Sequence, residues 1–181
     1  MNAVADPLAG QAVTVGAIVF TDLVGFTEYN DAVGDQAAAE VLDRQGEMVG
    51  HALSTCRGGR LVKEIGDGLM LAFDSPVEAL DAAVCILRSV EQARAAGTFP
   101  LAMRMGMHHG AAVVRGDDLI GHTVNIAARV AALAGPGELL VSDSVLGAAG
   151  GHQPEAMLSP IGPARVKGVH DPVWLHRVTA R

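Results

Sequence analysis

Residues 62–73 read VKEIGDGLMLAF, and the punctuation of this stretch decides what kind of sheet the chain builds. Arg60 to Ile65 and Leu69 to Phe73 are two short strand candidates, and Gly66-Asp67-Gly68 between them is a hairpin signal. Upstream, Ala12 to Thr21 (AVTVGAIVFT) is β-branched and apolar, as a core strand should be. Downstream, Leu101 to Met107 alternate, and Ala111 to Val114 are expected to return antiparallel to them. Repeated hairpins exclude a doubly wound parallel sheet. The fold class is α+β, with a mostly antiparallel sheet and helices against one face. The uncovered face of such a layer favours a partner subunit.

The helices fall between these strands. Gln36 to Leu53 carries an imperfect helical pattern, and Thr27 is a candidate cap for the helix after Gly25. Pro76 opens a helix through Ala96, and HTVNIAARVAALA (122–134) forms another that Gly135-Pro136-Gly137 stops. ELLVS (138–142) reads as a strand, Asp143 as the cap of a short helix, and residues 155–159 and 172–179 as late strands. Residues 1–12 read as a flexible tail and 13–181 as a single domain.

A chain of 181 residues that is 50% hydrophobic and 18% charged has the balance of a folded domain. No stretch reaches the roughly 18 apolar residues that cross a bilayer, and MNAVADPLAG lacks the basic flank of a secretory signal. With a formal charge of −7 and 3% aromatic residues, the chain has neither the positive groove nor the stacking rings of a nucleic-acid platform. Cys56 and Cys85 admit one disulfide, but two free thiols suit the pattern better, and with them a reducing, cytoplasmic compartment.

Two aspartates carry the chemistry. Asp22 in VFTDLVGFT (19–27) ends one strand, and Asp67 occupies the hairpin tip. Either alone would be an ordinary cap or turn residue. Pairing of the first strand with the hairpin brings them together, and two adjacent carboxylates call for a divalent cation shared with phosphate. The backbone of Leu23, Val24, Gly25, Phe26 and Thr27 offers amides to phosphate oxygens. Asn125 and Arg129 lie four apart on one helix face, a spacing that plain surface helices share. Lys63 and Asp118 supply a donor and an acceptor suited to adenine, with a solvated salt bridge as the plain alternative, and Lys167 offers a late cation to the triphosphate. His108 and His109 read as structural or solvent-facing. Met103, Met105 and Met107 read as packing residues, and Trp174 as packing near the last strand.

VFTDLVGFT, KEIGDG (63–68), GDDLIGHTVNIAARV (116–130) and RVKGV (165–169) together resemble the class III nucleotidyl cyclase catalytic domain, particularly bacterial adenylyl cyclases with a shortened dimerisation arm. The resemblance runs from about Val15 to Val178. It implies a ferredoxin-like βαββαβ-type core and conversion of ATP to 3′,5′-cyclic AMP and pyrophosphate. It also implies two metal ions per site, Mg²⁺ or Mn²⁺, on Asp22 and Asp67. Lys63 and Asp118 would read the purine, Asn125 and Arg129 would act in the transition state, and Lys167 would hold the triphosphate. A head-to-tail homodimer would build each site from both chains. Two departures stand out: the short stretch between Gly110 and Asp118, and Leu119-Ile120 before Gly121. A guanylyl cyclase and a silent nucleotide-binding module are the alternatives.

Overall fold

Along VTVGAIVFTDL successive side chains alternate between two faces, and both faces are covered. In the computed structural model, which describes residues 12–56, 58–152 and 154–180, this strand is β1 (Val13–Leu23). It is followed by α1 (Phe26–Val33), α2 (Asp35–Thr55), β2 (Gly59–Ile65), β3 (Gly68–Phe73), α3 (Pro76–Ala95) and β4 (Met103–Arg115). Then come β5 (Asp118–Ile120), α4 (His122–Leu133), β6 (Leu139–Ser142), α5 (Asp143–Ala148), β7 (Ala156–Ala164) and β8 (Val173–Ala180). The tail expected over residues 1–12 lies, apart from Ala12, outside the described residues.

The strands form one sheet in the order β2-β3-β1-β4-β6-β8-β7, with β5 hydrogen-bonded to β4. Among the described pairings only β4 with β6 is parallel, so the sheet is mixed and mainly antiparallel. Ala17 and Val19 point into a core with Leu80, Ile86 and Leu87 of α3 and with Met103, Met105 and Met107. These methionines are fully buried, as packing residues should be. Burying each such large side chain contributes about 1.5–3 kcal/mol. Ile18 points the other way, to Val124 and Ala127 of α4. Helices therefore flank both faces of the sheet, not one. A side chain at Gly106 would collide with the backbone of Ala131, so this glycine sets how closely α4 lies on β4.

β4 also departs from expectation. It runs unbroken through Gly110, and the antiparallel return is made by β5 after a turn at Gly116-Asp117. Gly110 is not a turn residue. A methyl there would lie 2.8 Å from Thr123 Oγ1, so its smallness admits α4. Helix starts differ in detail: α1 is capped by left-handed Gly25 (φ 77°), not Thr27, and α5 by Ser142, not Asp143. Ser75 caps α3 by accepting the Glu78 N–H at 3.3 Å, with Pro76 in its favoured first position. Trp174 lies in β8 but is 58% exposed instead of packed. Cys56 and Cys85 are both free, and burial raises the Cys56 thiol. Among the described residues no helix is long and apolar enough to cross a membrane.

Candidate active site

The register of β1 against β3, with Thr21 opposite Leu69, carries the hairpin tip to the end of β1. There the Leu23 N–H donates to Asp67 Oδ2 at 3.0 Å, so Asp22 and Asp67 become neighbours across 45 residues of sequence. On the other side of β1, Arg104 of β4 stands opposite Asp22 in the register. Its Nε donates to Asp22 Oδ2 at 2.6 Å and its Nη2 lies 2.5 Å from the same oxygen, a charge-assisted contact. Arg104 was hidden in the sequence as one polar residue in an alternating strand. Only the pairing of β1 with β4 makes it part of the site.

These bonds fall on Oδ2 of each aspartate, and among the described residues none is made by either Oδ1. Gly68 lets the hairpin approach the end of β1 closely. A methyl at residue 68 would lie 2.8 Å from the Thr21 carbonyl oxygen and 3.9 Å from Asp22 Oδ1. The donor set is hard oxygen, and among the described residues no cluster of three His, Cys, Asp or Glu encloses a metal. Two carboxylates without a closed cage suit Mg²⁺ or Mn²⁺, which complete their shell with phosphate and water.

A cleft of about 290 Å³ opens beside this corner, lined by Phe20, Asp22, Ile65, Arg104, Ala128 and Ala131 among others. Neither Asn125 nor Arg129 lines it. Both ride on α4, whose first turn is tied to β4 by the buried Thr123 hydroxyl donating to the Ala111 carbonyl at 2.5 Å. Asn125 is exposed and Arg129 half-buried. Arg129 reaches the loop after β7, where a methyl on Gly168 (φ 71°) would lie 3.1 Å from Nη1. Lys167, exposed, precedes that glycine. Buried Val166 anchors the loop. Arg129 thus lies against the loop that carries Lys167, and neither residue lines the carboxylate cleft.

Lys63 and Asp118 meet directly. Lys63 Nζ donates to Asp118 Oδ2 at 2.7 Å, and Asp118 Oδ1 accepts the Leu119 N–H at 2.8 Å. A register shift in β2 between Leu61 and Lys63 re-aims the lysine. The Lys63 hydrogen bond, ahead of the Leu119 amide, holds the Asp118 carboxyl below its ordinary value. Each side chain is 38% exposed, so the pair remains reachable by a planar ring.

The phosphate-facing backbone needs correction at two of its five positions. The Leu23 amide is committed to Asp67, and the Val24 amide donates to the Ala102 carbonyl at 2.8 Å. The first turn of α1, at Gly25, Phe26 and Thr27, keeps the donors that a helix start leaves over. His108 lies away from the carboxylates. Its Nδ1 is 2.8 Å from Ser142 Oγ, and burial, then His109 and His122, push it down to about 4, so it is neutral at physiological pH.

Fold and site together define a nucleotidyl cyclase catalytic domain. The family described as adenylate and guanylate cyclase catalytic domain matches residues 9–178, and the chain belongs to it. It is 39% identical over 98% of its length to the pH-sensitive adenylate cyclase of Mycobacterium tuberculosis, spanning 43% of that protein. The chain spans less than half the length of the curated relatives it matches first. Its fold is that of the adenylyl cyclase CyaB from P. aeruginosa, with a TM-score of 0.82, 24% identity and coverage of 94% and 96% of the two chains. It equally matches the guanylate cyclase domain of RhGC from Catenaria anguillulae with GTP, with a TM-score of 0.81, 22% identity and coverage of 94% and 99%. Adenylyl and guanylyl cyclases share this fold, so purine choice rests on side chains.

Proposed function

We propose that this chain cyclises ATP to 3′,5′-cyclic AMP and pyrophosphate in a site shared between two copies. The observation that carries the reading is the meeting of Asp22 and Asp67 beside an open cleft, with the Lys63–Asp118 pair elsewhere on the chain. Asp22 and Asp67 would hold two divalent cations, Mg²⁺ or Mn²⁺, which supply positive charge to the triphosphate and lower the proton affinity of the ribose 3′-hydroxyl. Lys63 donates to a ring nitrogen of adenine and Asp118 accepts from its exocyclic amine; guanine presents the opposite pattern at those positions. The amides of Gly25, Phe26 and Thr27 and the ammonium of Lys167 hold phosphate oxygens. Asn125 orients the ribose. The 3′-oxygen gives up its proton to water or to a substrate phosphate and bonds to the α-phosphorus as the bond from that phosphorus to the α–β bridging oxygen breaks and pyrophosphate leaves. Arg129 stabilises charge that develops there.

The shared site is supported by the separation within one chain. The carboxylate cleft is lined by Ala128 and Ala131 of α4, whereas Arg129 of the same helix turns to Gly168. A head-to-tail homodimer would place one chain's Asn125, Arg129, Lys167, Lys63 and Asp118 opposite the other's carboxylates. The test is incubation of purified protein with ATP and with GTP, each with Mg²⁺ and with Mn²⁺, and resolution of the products by mass. Cyclic AMP in excess is the expected result. Cyclic GMP in excess would reassign the base, and nucleotide binding without a cyclic product would mark a silent module.

A further inference from the structure

The buried stripe of α2 runs Ala38, Val41, Gln45, Val49 and Ala52, and Gln45 is its one polar member. At 1% exposure Gln45 is as buried as the valines around it. An apolar side chain would serve the core there without desolvating a carboxamide. The structure shows what compensates: Gln45 Nε2 donates to the backbone carbonyl of Asp67 at 3.1 Å. Thr21, 2% exposed, accepts the Leu69 N–H at 3.2 Å on the other arm of the same hairpin. Two of the four buried polar residues found among the described residues therefore brace the tip that carries Asp67.

We infer that Gln45 is a positioning residue for the cation site. From α2 it holds the Asp67 peptide and so sets the reach of the Asp67 carboxylate toward Asp22. The inference rests on the reading of Asp67 as a metal ligand. Gln45 touches neither nucleotide nor cation. Its loss therefore weakens cation binding more than it slows turnover once cation is saturating.

The test compares Gln45→Met, of similar size but without a donor, with Gln45→His, which keeps an N–H at about the same reach. Mn²⁺ binding is read by electron paramagnetic resonance in the presence of 3′-deoxy-ATP, which lacks the attacking hydroxyl, and Mn²⁺ dependence of turnover is read separately. Folded Q45M is expected to need about 5-fold or more extra Mn²⁺ for half-saturation in both assays, and kcat at saturating Mn²⁺ falls by less than about 3-fold. Q45H keeps wild-type Mn²⁺ affinity. Folded Q45M with Mn²⁺ affinity close to wild type, or a loss confined to kcat, overturns the inference. If Q45M does not fold, Q45H decides: wild-type affinity supports the inference and a 5-fold loss overturns it. D67A is the control that separates the two levels. Unchanged Mn²⁺ binding in D67A sinks the ligand reading itself, whereas loss in D67A without loss in Q45M sinks only the role of Gln45.

Discussion

The carboxylate corner and the α4 edge are built by opposite strategies. At the corner Asp67 is held by Leu23 and, through its peptide, by Gln45, while Asp22 is held by Arg104. At the α4 edge the helix is anchored, through Thr123, but the side chains proposed to act there are not: Asn125 and, on the loop after β7, Lys167 are exposed, and Arg129 rests against a glycine of that loop. The difference follows from charge. Two carboxylates side by side repel, so they stay in place only when bonds and a countercharge fix them. Cationic and amide donors need reach, and their geometry can be completed by the nucleotide. One region is braced within the chain; on the proposed function the other is completed by nucleotide and a second copy.

Breaking the finished region should have the largest effect. D22A and D67A are each expected to lower kcat/KM at limiting Mg²⁺ by about 100-fold or more, with melting temperatures close to wild type. Near-wild-type turnover by either variant would remove that residue from the ligand set. On the other edge, R129A should lower kcat by about 100-fold while nucleotide affinity stays within a few-fold. A change in affinity at constant kcat would place Arg129 in ground-state binding. Mixing D22A with R129A sharpens the contrast. After random exchange, about half the dimers carry one intact site, restoring roughly a quarter of wild-type activity. No recovery after verified exchange would contradict a shared site.

Purine choice is a smaller effect. Replacing Lys63 with Glu and Asp118 with Ala should reduce the ratio of kcat/KM for ATP over GTP by about 5- to 150-fold. An unchanged ratio in folded protein would take both residues out of base recognition. The smallest effect belongs to neither region. His108 is neutral in the fold, with its proton affinity lowered to about pH 4 chiefly by burial, whereas the unfolded chain binds that proton near 6.5. Its contribution is whole above about pH 6.5 and is lost as pH falls towards 4. Allowing for its partial exposure, about 1–2 kcal/mol of stability goes with it. Urea midpoints across that range should fall less in H108Q than in wild type, and parallel curves would assign the pH dependence elsewhere.

Asp22 and Asp67 were legible because each ends an apolar run at a turn, and turn chemistry is written in adjacent residues. Lys63 and Asp118 were legible as donor and acceptor types, and their 2.7 Å ion pair brings them together across 55 residues. Arg104 and Gln45 were not. An arginine in an alternating strand and a glutamine in an imperfect helical stripe look like ordinary surface residues until the packing shows what they touch. The return expected at Ala111 to Val114 misled in the reverse sense: β4 continues there, and Gly110 within it serves as a gap for Thr123. The side of the sheet on which α4 lands was also hidden. Periodicity tells which residues of a helix are apolar, not which face will bury them.

The sequence by itself determined the strand–turn–helix order and the mainly antiparallel sheet, and it named the candidate site residues by chemical type, because dihedral preferences and burial periods act over a few neighbouring positions. Tertiary structure alone decided that α4 covers the second face, that Arg104 neutralises Asp22 and that α2 braces the hairpin through Gln45. Those facts depend on strand register and on contacts between residues 22 to 82 positions apart. Such contacts form only when the whole sheet and its helices close together, and no local pattern encodes their pairing.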